Sequence, residues 1–247
     1  MIPDTQVRPG VATDHLTWIG RAILEYKPDV VIHLGDHWDM SSLNSYDSPL
    51  KMEKRRLKDD VAAGNKAMSD LWRPLREYNQ RRHGRRTYYN PRRVFLFGNH
   101  ENRLIRTIES MPLILDGLVS YDLLKLHMWE THPFLEAVNI DGIQYSHYFY
   151  NPNSGRPYGG TAHTKLKNVG CSFTMGHQQG LDYALRHVVS GLTQYGLVAG
   201  SCYLHDEDYR GPQANGEWRG VIVKNDVRNG EYDIMPLTLK YLRTKFG

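Results

Sequence analysis

The sequence predicts an α/β protein in which two sheets pack together with helices outside. Three observations carry that prediction. The first half alternates helical and strand-like runs. Its strand-like runs are short and apolar, and each stops at a glycine followed by Asp or Asn, as a buried parallel strand does when its carboxyl end presents a polar group. The second half is a series of short strands and turns that closes on a hairpin signal.

Taken in order, residues 13–26 form the first predicted helix, with Thr13 or Asp14 as cap and Leu16, Ile19, Ile23 and Leu24 on one face. Lys27-Pro28 ends it. Residues 29–36 (Asp-Val-Val-Ile-His-Leu-Gly-Asp) read as the first buried strand. Residues 49–82 read as helical, with Pro74 expected to kink or divide the stretch. A second buried strand, residues 93–97, ends at Gly98-Asn99-His100-Glu101, where the next helix begins. Residues 112–137 read as helices and loops. Short strands follow at 143–147, 172–177, 196–200 and 220–223, and Asn229-Gly230 predicts a hairpin turn between residues 221–227 and 231–235.

The chain of 247 residues is long enough to bury a core without staples, and 40% hydrophobic with 23% charged residues excludes disorder along its whole length. A net charge of +4 fits a phosphate-bearing partner without requiring one. Cys171 and Cys202 have neither disulfide-framework nor zinc-site spacing, so a reducing compartment is expected. No apolar run is long enough to cross a bilayer and no leader is visible, so the expectation is a cytoplasmic protein that does not engage a membrane.

The strand ends carry, in order, Asp4 and Gln6; Asp36 and Asp39; Asn99 and His100; His147; and His177 and Gln179. This oxygen-and-imidazole set suits Mn, Fe, Zn or Mg rather than a thiolate-bound metal. A carboxylate such as Asp36 can bridge two ions of the kind that clamp the attacking and leaving oxygens in phosphoryl displacement. The five blocks Asp4-Thr5-Gln6, Gly35-Asp36-His37-Trp38-Asp39, Gly98-Asn99-His100-Glu101, His147 and Gly176-His177-Gln178-Gln179 resemble the ordered motifs of the calcineurin-like metallophosphoesterases. They are nearest in look to the DNA-repair exonuclease branch.

The resemblance implies a four-layer fold, a two-sheet sandwich flanked by helices, over a single domain of residues 1–247. Insertions at about 40–93 and 103–140 would wall the site. It further implies one or two divalent ions, with Mn favoured. Asp36 would bridge them; Asn99, His147 and His177 would complete the second site; Asp4, Gln6 and Gln179 would hold the first. His100 would face the scissile phosphate with Asp39 orienting its ring, and a metal-bound water would attack. Gln6 and Gln179 depart from the family, which has His at both places, and both losses fall on the first site. That site is expected to prefer a hard ion or to bind weakly.

Arg103 and His163 are the candidate substrate contacts, and an Arg-rich loop around Tyr88 and Tyr89 is a candidate for affinity. His37 is expected at the rim. The implied activity is hydrolysis of phosphate esters, a phosphodiesterase or nuclease with DNA or RNA among its candidate substrates. A phosphomonoesterase or protein phosphatase, and a non-catalytic scaffold that kept the fold, remain as alternatives.

Overall fold

The computed structural model of the chain describes every residue except 82–86, 208–210, 212, 214 and 215. It is a mixed α/β structure. The first helix, α1 (Asp14–Tyr26), buries Leu16, Ile19 and Ile23, and Lys27 ends it in the left-handed conformation. Strand β1 (Val30–His33) pairs in parallel with β2 (Arg92–Leu96), which pairs in parallel with β3 (Glu130–His132). Between β1 and β2 run a short helix α2 (Pro49–Met52) and the long helix α3 (Leu57–Gln80). Pro74 does not divide α3. A Cβ at Gly20 would lie 2.2 Å from the Leu71 carbonyl and 3.0 Å from the Pro74 ring. Only glycine therefore allows α1 to pack this closely against α3 at the proline.

Helix α4 (Asn102–Ser110) leaves the end of β2, and α5 (Pro112–Leu115) follows. The second sheet has the order β4 (Val138–Ile140), β5 (Ile143–Ser146), β6 (Phe173–Met175), β8 (Thr193–Ala199), β7 (Leu181–His187). Helix α6 (Ala162–Val169) connects β5 to β6. The Asn229-Gly230 turn joins β9 (Gly220–Arg228) to β10 (Glu231–Thr238), and α7 (Leu239–Phe246) ends the described chain.

Period-two alternation along the strands sorts their side chains into separate cores. In β1 and β2, Val31 and Phe95 face α1 and α3, where Leu16, Ile19, Leu71 and Trp72 meet them. Their neighbours Ile32, Val94 and Leu96 face the second sheet and pack with Ile143, Leu197 and Ala199. Phe173, Met175 and Val198 point the other way, onto Ala162 and Leu166 of α6. Each fully buried Leu or Ile contributes about 1.5–3 kcal/mol.

The N-terminal residues act as a short strand between β1 and the segment after β8. The Ile2 N–H donates to the Ile32 carbonyl at 2.8 Å, the Leu34 N–H to Ile2 at 2.9 Å, and the Cys202 N–H to Asp4 at 2.7 Å. The pairing of Ile2 with β1 brings Asp4 to the same edge as Asp36. Cys171 and Cys202 are both free. Among the described residues, no helix is long and apolar enough to cross a membrane.

Candidate metal centre

The carboxyl ends of β1, β2, β5 and β6 meet at one edge. There the chain takes left-handed turns at Gln6, Asp36 and His177 (φ of 41°, 51° and 65°), conformations non-glycine residues adopt at a cost that clusters at functional sites. Two glycines make room for the carboxylates. A Cβ at Gly98 would sit 2.1 Å from Asp36 Oδ1, and one at Gly176 would sit 2.5 Å from Asp4 Oδ1.

Four donor atoms converge. Asn99 Oδ1 lies 2.9 Å from His147 Nε2 and 2.8 Å from His177 Nδ1. His147 Nε2 lies 3.3 Å from Asp36 Oδ2. One ligand atom from each of Asp36, His147 and His177 falls within 4.8 Å of the others, a spacing one cation can span. His147 Nδ1 is 2.7 Å from the Leu34 carbonyl, a contact that orients the ring and leaves Nε2 to the cluster.

Asp4 is fully buried. Its Oδ1 accepts the His177 N–H at 3.1 Å, while its Oδ2 has no hydrogen-bond partner. An unpartnered buried carboxylate oxygen beside a second buried carboxylate is what a cation site leaves when described without its ion. Burial and then the Asp36 charge push the Asp4 carboxyl up to about 7. Gln6 and Gln179 line the same cleft, and the Tyr203 hydroxyl donates to Gln179 Oε1. The residues present therefore fit one borderline divalent ion among Asp36, Asn99, His147 and His177.

Burial opposes charge on His100 and His147, yet Asp36, joined at His100 by Asp39, holds both rings up to about 9. Without a cation, Asp4, His100 and His147 all bind protons more tightly in the folded chain than in the unfolded one. His15, His37 and His177 are depressed, by burial first, to about 3, about 4 and about 4, and act in the opposite sense below pH 6.5. Glu101, pushed up to about 7 by burial and then the Asp36 charge, joins the raised groups, whereas burial pushes the amino terminus down to about 5 and holds Lys224 well below its ordinary range, and these two act in the opposite sense above pH 6.5 as well. Raised and lowered groups therefore oppose one another above pH 6.5, and the part that depends on Asp36 is read as a difference: the cation-free wild type is expected to lose stability relative to Asp36→Asn as the pH rises from 6.5 to 9. Urea midpoints of the two proteins across that range test it, and a constant difference would overturn it. Saturating Mn is expected to reverse that trend, since ligands bind deprotonated.

His100 stands beside this cluster. Its Nδ1 is 2.8 Å from Asp39 Oδ1, and its backbone N–H donates to Asp36 Oδ1 at 2.9 Å. Arg103 donates to the Asp39 carbonyl at 2.8 Å and reaches within 3.4 Å of His100 Nε2. All of these open on a cleft of about 760 Å³, which Tyr46, Asp47, Lys51 and Arg55 also line, with Arg55 paired to Asp47 at 2.6 Å.

Glu101 has a part that reading the sequence missed. It is fully buried, and its two oxygens accept the N–H groups of Asp36 (2.9 Å), His37 (2.7 Å), Trp38 (2.9 Å) and Gly98 (2.9 Å). It thereby ties the two strand-end turns together. Its place as the fourth residue of the Gly-Asn-His-Glu block was the available signal. In Glu101→Gln an amide NH₂ would face two backbone donors, so a loss of about 2–6 kcal/mol is expected from two unsatisfied buried groups. Denaturant unfolding measures it, and a loss below ~1 kcal/mol would contradict the four-bond arrangement.

Several expectations are corrected. His163 is exposed in the first turn of α6 and does not line the cleft. His37 is no rim residue: it is fully buried, 2.7 Å from Thr5 Oγ1 and 3.0 Å from the Gly64 carbonyl. The described arginines of the Arg-rich loop lie at the other end of β2. There Arg92 pairs with Glu130 at 2.8 Å and Arg93 stacks on Trp72 at 4.1 Å. Residues 82–86, with Arg82, Arg85 and Arg86, lie outside the described residues. Of the two stretches expected to wall the site, the first does so through residues 41–55, whereas the 103–140 stretch contributes Arg103 alone to the cleft lining.

Comparison with family models and with curated proteins finds no match to this chain.

Proposed function

We propose that the chain is a metal-dependent phosphoesterase acting on phosphodiesters, with the four-layer calcineurin-like sandwich as its fold. The carrying observation is that Asn99 Oδ1 lies within 2.9 Å of both His147 Nε2 and His177 Nδ1, that ligand atoms of Asp36, His147 and His177 fall within 4.8 Å of one another, and that Asp36, Asn99 and His177 line the same cleft as the Asp39–His100 pair. The three cores in series, from α1 and α3 through two sheets to α6, support the fold assignment.

A divalent ion held there would supply Lewis acidity at the phosphoryl oxygens and lower the pKa of a water at neutral pH. The chain supplies the rest. His100 presents Nε2 to the leaving oxygen while Asp39 fixes the ring through Nδ1. As the water oxygen bonds to phosphorus and the ester P–O bond breaks, the Nε2 proton passes to the departing alkoxide. Arg103 keeps the Asp39 backbone in place and adds positive charge beside the phosphate. Lys51 places a further cation on the cleft lining, beside an Arg55 paired with Asp47 at 2.6 Å, and it favours a substrate with charge beyond the scissile group. A trough of about 760 Å³ has room for both substituents of a diester.

Turnover of bis-p-nitrophenyl phosphate and of p-nitrophenyl phosphate with Mn tests the reading. Diester cleavage supports it. A monoester preference moves the assignment to a phosphatase. No turnover with either ester, across several metals, favours the scaffold alternative.

A further inference from the structure

Asp39 is gripped from two sides. Its Oδ1 faces His100 Nδ1 at 2.8 Å, and its Oδ2 accepts from Arg8 Nη1 at 3.2 Å. The same Arg8 nitrogen reaches both oxygens of Glu207, at 2.8 and 2.9 Å. Glu207 is only 4% exposed, and its Oε1 is 2.7 Å from His205 Nε2. Arg8 itself is about a quarter exposed and lines the cleft. A guanidinium so placed can turn toward solvent or toward a bound phosphate. The buried Glu207 carboxylate removes that freedom and points the group at Asp39.

We propose that Arg8 and Glu207 are positioning residues for the Asp39–His100 pair, a brace supplied by the segment that follows β8. Arg103 holds the Asp39 backbone carbonyl at 2.8 Å, whereas Arg8 holds the carboxylate itself. With one oxygen on Arg8 and the other on His100, the carboxylate plane is locked. The His100 ring then keeps one orientation, Nδ1–H toward Asp39 and Nε2 toward the cleft. The effect on turnover rests on the phosphoesterase reading; the effect on the His100 ring does not.

The test uses the full chain, wild type beside Glu207→Gln, Arg8→Ala and Arg8→Lys. Glu207→Gln keeps the shape of the buried side chain, and circular dichroism with Mn calorimetry verifies that each variant folds and holds its cation. With Mn, a p-nitrophenyl diester and the matching phenyl diester are compared. Phenolate is the poorer leaving group and depends more on a proton from His100. Glu207→Gln and Arg8→Ala are expected to lower kcat about 10–100-fold on the phenyl ester, with KM little changed and a smaller loss on the nitrophenyl ester. Arg8→Lys should recover part of the loss, because all three contacts run through one nitrogen, Nη1, and an ammonium carries three donors.

A raised KM with equal loss on both esters would overturn the proposal in favour of direct substrate binding by Arg8. Unchanged kinetics would overturn it outright. If the wild type turns over neither ester, the phosphoesterase reading fails, and ¹⁵N-histidine NMR decides the brace without turnover. The His100 Nδ1–H signal is expected to be single and sharp in the wild type, and broadened or shifted in Glu207→Gln. An identical signal in both would sink it.

Discussion

His100→Ala is expected to lower kcat for diester hydrolysis by about 10²–10⁴-fold with little change in KM. The ring is held by Asp39 through Nδ1 at 2.8 Å, and its Nε2 stands 3.7 Å from Asp36 Oδ2, at the edge of the cation cluster rather than within it. Its loss should remove proton donation to the leaving oxygen and leave the cluster intact. Mn calorimetry on the variant is therefore expected to match the wild type within a few-fold while nitrophenol release collapses. Retained turnover would deny His100 the role of acid. Lost Mn binding would make it part of the metal site.

Asp36→Asn is expected to weaken binding of the divalent cation on the order of 10²-fold or more and to abolish turnover with it. Among the described residues, Asp36 is the carboxylate that touches both halves of the site. Its Oδ1 accepts the His100 N–H at 2.9 Å, and its Oδ2 stands 3.3 Å from His147 Nε2. Asparagine preserves the shape and removes the charge. That charge also holds the His100 and His147 rings up to about 9, so the stability advantage of the cation-free wild type over the variant should shrink between pH 6.5 and 9. Mn calorimetry and urea unfolding at pH 7 and 9 measure the two effects. Mn affinity close to that of the wild type would place the cation elsewhere.

Some elements were plain in the sequence because they are local. The runs at β1 and β2 are apolar on both faces, and each ends at a glycine that a buried turn requires. The Asn229-Gly230 hairpin is written in two residues. Other elements were not legible. Strand β7 is half-exposed along most of its length and lacks clean alternation, so it reads as loop. Strand β3 spans three residues and exists through its pairing to β2. Pro74 reads as a break, yet the close approach of Gly20 accommodates it inside α3. The Arg-rich loop drew attention by composition, but a loop that enters β2 at its first residue opens away from the edge where β2 ends.

The sequence by itself determined which polar residues stand at the strand ends and in what order, because an apolar run must stop where the chain leaves the core, and Asp36, Asn99, His147 and His177 stand where such runs stop. Only the tertiary structure decided which of them meet. Glu207 reaches Arg8 across 199 residues, His177 reaches Asn99 across 78, and His163 turns away. Those contacts follow from how two sheets and the segment after β8 pack against one another, and no local periodicity carries that information.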